Sequence, residues 1–278
     1  MQRSGLMKKI LISLWLMLGS PFWLYADDPA QKFQGFNLEG YTDNGEKSWE
    51  LNGETADILG SKIKISKVDA DMYGEQKANL TAETGVIDQA SGNIHLEKDV
   101  VITSERGTQM QTDSLDWNRN EDLVTTQDDV RITDQGLVVT GTGMKAQPGL
   151  KTAQIDEDVK VTAETESQNA DERTVTITCD GPMVINQTES SAVFQDNVVA
   201  VRGDQTLKAD RMEVYFDQEM NSIKEMICIG HVVIIQGENQ SFAEKAVYNA
   251  AEQKLTLSGR PKLILLTEGT DGITAVGN

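Results

Sequence analysis

The chain contains two histidines, His95 and His231, which are the first residues to consider for catalysis or metal binding. Each lies one step from an apolar position of an alternating segment, so both side chains are expected to point outward. Cys228 lies three residues before His231, but no further Cys or His lies near them to complete a zinc site. The histidines therefore predict no metal site.

One acidic segment begins like a calcium-binding loop, "DADMYGEQKANL" at residues 69–80. The pattern fails at its fifth position, which is Tyr73, and at its twelfth, which is Leu80. A calcium loop needs a bidentate glutamate at the twelfth position. We therefore expect no calcium site in this segment.

Paired carboxylates are the remaining candidates for acid–base chemistry. Asp128 and Asp129 precede Val130 at the end of a repeated unit, where we expect them to shape a turn rather than to transfer protons. The sequence has no G-x-S-x-G motif, phosphate-binding loop or dinucleotide fingerprint. It predicts a protein that is not an enzyme and that uses no cofactor.

Cys179 and Cys228 lie in alternating segments that resemble strands. In an exported chain two such thiols can oxidise to a disulfide. They can equally serve as two small buried hydrophobic side chains. The sequence leaves both interpretations open.

Composition limits the partners and the kind of interior. The formal net charge is −19, which excludes nucleic acid because phosphate binding needs clustered Lys and Arg. Aromatic residues make up 5 %, so Val, Ile, Leu, Ala and Met must fill the interior. This composition favours a thin, regular β architecture.

A repeated unit organises the chain. In each unit a small residue opens an alternating segment, a polar turn follows, and a second segment ends at Val or Pro eighteen positions after the small residue. The pairs are Ala82 with Val100, Thr112 with Val130, Gly141 with Val159, and Ala243 with Pro261. Together with Val198 and Val232, these marks recur every 29 to 39 residues, which is room for two strands and two turns.

The strand prediction follows from alternation with a period of two. One side of the segment at 94–102 carries apolar residues, namely Ile94, Leu96, Val100 and Ile102. Turn-forming stretches such as "ASGN" and "TDQG" separate the segments. We expect an almost all-β chain in which antiparallel strands wind into a long flattened coil with one open sheet edge at each end.

The predicted organisation has three parts. Residues 1–26 combine a basic start with the apolar run "ILISLWLML", which indicates export; the segment is short for a membrane span, and cleavage and retention as an anchor both remain open. A polar stretch at 162–173 predicts a joint between a first module at 33–163 and a second at 174–267.

The residues resemble a known family. The stretches "LTAETGVID", "KDVVITSERGTQMQTDSLDW" and "DDVRI" resemble LptC-like periplasmic proteins of lipopolysaccharide export. The stretches "KADRMEVYFD", "IGHVVI" and "SGRP" are similar to the related LptA/OstA-like domain. This resemblance implies an elongated antiparallel OstA-type β-jelly-roll of two consecutive modules, with an apolar groove for lipid acyl chains.

The same resemblance implies a function and partners. The expected protein is a periplasmic lipid-transfer protein that binds lipopolysaccharide or a related lipid. Its expected partners are an inner-membrane ABC transporter complex and further OstA-like modules, which pair by their strand edges to form a bridge to the outer membrane. The N-terminal segment is either removed or anchors the chain in the inner membrane.

The inward-facing series supplies candidate residues for the lipid-binding groove. These are Val100, Ile102, Val130, Ile132, Val159, Val161, Val198, Val232 and Ile234. Alternation marks an interior without showing whether lipid or protein side chains fill it, so a closed core is the alternative at each position. Trp117, two residues after Leu115, is also expected to pack inside.

Two other functions remain open. A ligand-free structural β-solenoid or adhesin-like scaffold of the cell surface needs neither an open seam nor pairable edges. A carbohydrate-active β-helix enzyme needs inward carboxylates on successive coils, whereas Val and Ile occupy the recurrent positions here.

Overall fold

The computed structural model describes residues 31–42, 44–73, 77–164, 173–217 and 222–265. These residues form seventeen β-strands and one short 3₁₀ helix, Pro148–Leu150. The first nine strands are β1 Gln31–Tyr41, β2 Lys47–Leu59, β3 Lys62–Tyr73, β4 Lys77–Asp88, β5 Ile94–Ser104, β6 Gln109–Asn118, β7 Leu123–Asp134, β8 Leu137–Gln147 and β9 Thr152–Glu164. The others are β10 Thr174–Cys179, β11 Met183–Asn186, β12 Ser191–Arg202, β13 Gln205–Phe216, β14 Ile223–Gln236, β15 Asn239–Asn249, β16 Lys254–Ser258 and β17 Lys262–Ile264.

The strands follow one another in an antiparallel meander. From β1 to β9 each strand pairs with the next. Strands β10 and β11 lie end to end between β9 and β12, and the meander then continues to β15, which pairs with both β16 and β17. This confirms the predicted elongated, antiparallel β-jelly-roll. No helix in the described ranges is long and apolar enough to cross a membrane.

The recurrent valines mark a line along which the sheet is folded. In β12 the chain shifts register between Gln195 and Val198, and the two intervening residues, Asp196 and Asn197, both have positive φ. Equivalent shifts precede Val100 and Val232. An insertion of this kind bends the strand, and Asp, Asn and Gly tolerate the left-handed conformation best.

The strands that pair with the bulged strands bend at the same line, where they carry small residues. In β13 the buried residues Ala209 and Met212 are three positions apart, whereas a straight strand exposes one face at every second residue. In β8 a Cβ atom on Gly141 would collide with Ile155 Cγ2. Small residues are therefore needed where neighbouring strands converge at the fold line.

One detail of the predicted unit is wrong. The unit was expected to end at its valine, with Asp128 and Asp129 shaping a turn. Instead β7 runs through both aspartates to Asp134, and the register shift lies within the strand. The physical reason is that a bulge and a turn use the same Asp, Asn and Gly residues, so composition alone does not distinguish them.

The sheet and its interior run through the predicted joint. Six residues of β10 pair with β9, from Thr174 opposite Glu164 to Cys179 opposite Val159. Residues 165–172 lie outside the described ranges, as does the N-terminal segment at 1–26. One buried cluster extends from Val130 to Ala246 across both predicted modules. The division at 33–163 and 174–267 remains a prediction.

Both cysteines are buried and free. Burial raises the pKa of the Cys179 thiol to about 11 and that of Cys228 to about 12. Of the two interpretations that the sequence left open, the structure supports buried hydrophobic side chains.

Candidate functional site

Two continuous rows of apolar side chains line the interior. Row A consists of residues that are direct partners across neighbouring strands. Each strand from β1 to β14 contributes one residue, except β11, which lies end to end with β10. Its members are Leu38, Leu51, Ala70, Leu80, Ile102, Met110, Ile132, Val139, Val161, Ile177, Ala200, Leu207 and Ile234. Most of them are half-buried. Row A therefore forms an unbroken, partly accessible apolar track.

Row B is a second track on the other side of the fold line. It runs from β2 to β16, again through direct partners. Its members are Ile58, Ile63, Ile87, Ile94, Trp117, Val124, Ala146, Ala153, Ile185, Ala192, Val214, Met226, Tyr248 and Leu255. Most of these side chains are also half-buried.

The residues between the two rows are fully buried. They include the valines of the fold line and a neighbouring series that contains Leu96, Leu115, Ile155 and Phe194. Two half-buried apolar rows therefore flank a packed floor of buried residues. We call this feature, made of rows A and B and the floor between them, the trough.

The predicted groove residues fall into two groups in the trough. Val100, Val130, Val159, Val198 and Val232 are 0–2 % exposed and belong to the floor. Ile102, Ile132, Val161 and Ile234 are half-buried members of row A. Only the second group presents surface to a ligand in this conformation. Contact of these nine residues with lipid remains a prediction.

The nine predicted groove residues include no member of row B. Its signal was present in Ile94, which shares the inward side of β5 with Leu96. Alternation identifies such positions within a strand, but only the cross-strand register shows that they join into one row. Trp117 packs against the core as predicted.

The outer side of the fold line is acidic. A depression with a volume of about 600 Å³ lies there, lined by the carboxylates of Asp99, Asp113, Asp129 and Asp158 together with Arg131 and other residues. Val100 and Val130 of the floor also line it. The charges therefore lie outside and the apolar rows inside, so the surface disfavours anions while the interior offers apolar surface.

Potential catalytic groups are engaged in structural contacts. Ser114 Oγ donates to Asp128 Oδ2 at 2.6 Å, and Thr142 Oγ1 donates to Asp129 Oδ1 at 2.8 Å. These bonds tie the bulge in β7 to the strands on either side. In the described ranges no group of three or more His, Cys, Asp or Glu side chains is arranged to hold a metal ion.

The two histidines point outward as predicted. His95 Nδ1 lies 2.7 Å from Asp116 Oδ1, and its Nε2 lies 3.1 Å from Glu97 Oε1. The hydrogen bond with Glu97 raises the pKa of His95 above its usual value, and that with Asp116 contributes less to the same effect. His231 Nδ1 lies 2.8 Å from Asp210 Oδ2. The pairs with Asp116 and Asp210 connect neighbouring strands, and neither histidine is directed into the trough.

Both sheet ends are unpaired on their outer sides within the described residues. β1 pairs with β2, and β16 and β17 pair with β15. Exposed apolar side chains accompany both ends, including Phe33 and Tyr41 at the first and Leu263 and Ile264 at the second. Each end therefore offers backbone groups and apolar surface for pairing with another strand.

Two family models match the chain. Residues 15–164 match the model described as lipopolysaccharide-assembly, LptC-related. Residues 176–275 match the model described as LptA/(LptD N-terminal domain) LPS transport protein. No curated protein matches the chain.

Proposed function

Because the chain belongs to the LptC-related family of lipopolysaccharide-assembly proteins, we propose that it carries the acyl chains of lipopolysaccharide along the trough. The single observation that supports this most strongly is the continuity of rows A and B through both matched segments. A hydrocarbon chain in the trough meets apolar side chains at every strand.

The energetics suit this role. An acyl chain of about a dozen methylenes gains on the order of 10 kcal/mol on leaving water, at roughly 0.8 kcal/mol per methylene. Hydrocarbon alone thus supplies enough free energy to hold the lipid. The sugars and phosphates remain outside, where the acidic surface disfavours close approach of the phosphates.

The proposed setting is the periplasm, in a bridge between an inner-membrane ABC transporter complex and the outer membrane. Within the described residues the outer edges of β1 and of β16 and β17 are unpaired, which supports docking of further OstA-like modules by strand addition. Because two modules are joined in one chain, the junction between them does not depend on the concentration of the protein. Residues 1–26 are proposed to direct export, either as a cleaved signal or as an anchor.

Proteins of this family transport and bind lipid rather than catalyse a chemical reaction. The engagement of Asp128, Asp129 and both histidines in strand-to-strand contacts supports the same role here. Energy for directional movement would come from the transporter.

A ligand-free scaffold is the second candidate function. The observation that favours it is the 0–2 % exposure of the five fold-line valines, since a packed floor also stabilises an empty coil. The two functions differ in what rows A and B contact, because a scaffold leaves them without a ligand.

Binding of purified lipopolysaccharide to the full chain distinguishes the two. We expect Ile132→Glu, on row A, to weaken binding by on the order of tenfold, because it places a charge against hydrocarbon. The matched control is Arg131→Glu on the outward side of the same strand, which should bind within about twofold of the unaltered chain. No binding by the unaltered, folded chain would support the scaffold.

A further inference from the structure

Trp117 carries a buried donor that finds no acceptor among the described residues. It occupies row B on β6, directly between Ile94 and Val124. The preceding residue Asp116 is exposed and Leu115 is buried, so alternation directs the indole inward. Among the described residues, Trp117 Nε1 is the buried side-chain nitrogen or oxygen that finds no hydrogen-bond partner.

An unpaired indole N–H is costly in a folded chain. The group can only donate, and leaving a buried donor unpaired costs about 1–3 kcal/mol. On the same pair of strands the buried hydroxyls of Thr112 and Thr126 satisfy each other at 3.2 Å. The interior therefore pairs its polar groups nearby, and Trp117 is an exception that calls for an explanation.

The position of Trp117 indicates which acceptor it can meet. It is the last inward residue of β6, next to the turn that leads to β7, and therefore lies at the rim of the trough. A lipid that lies in the trough with its head group outside would bring the polar end of its acyl chain to this rim. The first few carbons of such a chain can carry an oxygen as a hydroxyl, an ester or an amide.

We propose that Trp117 Nε1 donates a hydrogen bond to an oxygen near the polar end of a bound acyl chain, so that the trough prefers oxygen-bearing chains to plain hydrocarbon chains. This inference rests on the proposed function, because it requires the trough to bind acyl chains. Trp117 is then a specificity-determining residue within an otherwise apolar surface.

Trp49 provides a matched control. It lies on β2 near the first sheet edge, and its indole packs so closely over Gly40 that a Cβ atom there would collide with Trp49 Nε1. Its indole nitrogen is not among the buried groups that lack a partner. Replacing Trp49 with Phe therefore tests ring packing without the same unpaired donor.

The test measures binding of myristic acid and of its β-hydroxy derivative to the full chain by calorimetry. We expect the unaltered chain to prefer the hydroxylated acid by roughly fivefold, as one hydrogen bond contributes about 1 kcal/mol. Trp117→Phe should bind the two acids equally, whereas Trp49→Phe should keep the preference.

The possible failures are distinguishable. If the folded, unaltered chain binds neither acid, the proposed function fails. If it binds both equally, or if Trp117→Phe retains the preference, the inference is overturned. Should Trp117→Phe not fold, the isotope-labelled indole N–H resonance of Trp117 in the unaltered chain decides: it should move downfield with the hydroxylated acid and remain in place with myristic acid.

Discussion

Val161 of β9 and Ile177 of β10 are direct cross-strand partners, although the polar stretch between their strands separates the two matched segments of the chain. Through this pair row A passes from the first segment to the second without a polar interruption. The proposed transfer of lipid between modules depends on it.

A charge at this junction should interrupt the track. We expect Ile177→Asp to lower the free energy of unfolding by about 2 kcal/mol, since it places a carboxylate in a half-buried apolar position, and to block lipid passage. Urea unfolding and growth of cells that depend on this chain measure the two effects. Thr176→Asp, one residue away on the outward side, is the control; normal growth with Ile177→Asp would contradict the role of the junction.

The bulge before Val198 should tolerate only residues that accept positive φ. Asn197 has a φ of 51° and donates from Nδ2 to Asp180 Oδ2 at 2.6 Å. Asn197→Gly loses that hydrogen bond but suits the backbone, whereas Asn197→Val loses the bond and also strains the backbone. We expect the Val variant to be less stable than the Gly variant by about 1–2 kcal/mol in urea unfolding. Equal stabilities would contradict this description of the fold line.

The thiols should be inert in the folded chain. Burial raises the pKa of Cys179 to about 11 and of Cys228 to about 12, so very little thiolate is present near pH 8. We expect maleimide to label neither cysteine until urea unfolds the chain. Ser258→Cys places a thiol at an exposed position as a positive control. Rapid labelling of the native thiols, or a disulfide between them, would be inconsistent with the structure.

The stability contributed by His95 should depend on pH. The hydrogen bond with Glu97, and to a smaller extent that with Asp116, raises its pKa above 6.5 in the folded state. The contacts of charged His95 therefore stabilise the fold fully at pH values below the pKa of this histidine in the unfolded state. This contribution is lost as the pH rises through its raised pKa in the folded state. The difference in unfolding free energy between the unaltered chain and His95→Gln should be largest below about pH 6 and shrink at higher pH. A difference that grows with pH would refute this assignment.

The positions of the recurrent valines were predictable because they depend on local chemistry. A small residue such as Ala82, and Asp, Asn or Gly before a valine, are needed wherever adjacent strands bend together, and both recur in the sequence at regular spacing. Alternation likewise identified Ile102 and Ile132 as inward residues.

Other features depend on relationships between distant residues. Row B exists because the turns set a register that aligns Ile94, Trp117 and Val124, and no single strand contains that information. The sequence also does not predict that the N–H of Trp117 is unpaired, because this depends on which acceptors the fold places within hydrogen-bonding distance. The sequence does not distinguish bulges from turns, because the same residue types serve both.

The most direct test of lipid passage is photocrosslinking in cells that make labelled lipopolysaccharide. A photoreactive side chain is placed at Ile132 or Leu207, which lie on row A in the first and second matched segments. The controls are Arg131 and Lys208, their exposed outward neighbours. The proposed function predicts that lipid labels Ile132 and Leu207 and spares both controls; labelling of Arg131 and Lys208 with none at Ile132 or Leu207 would contradict it.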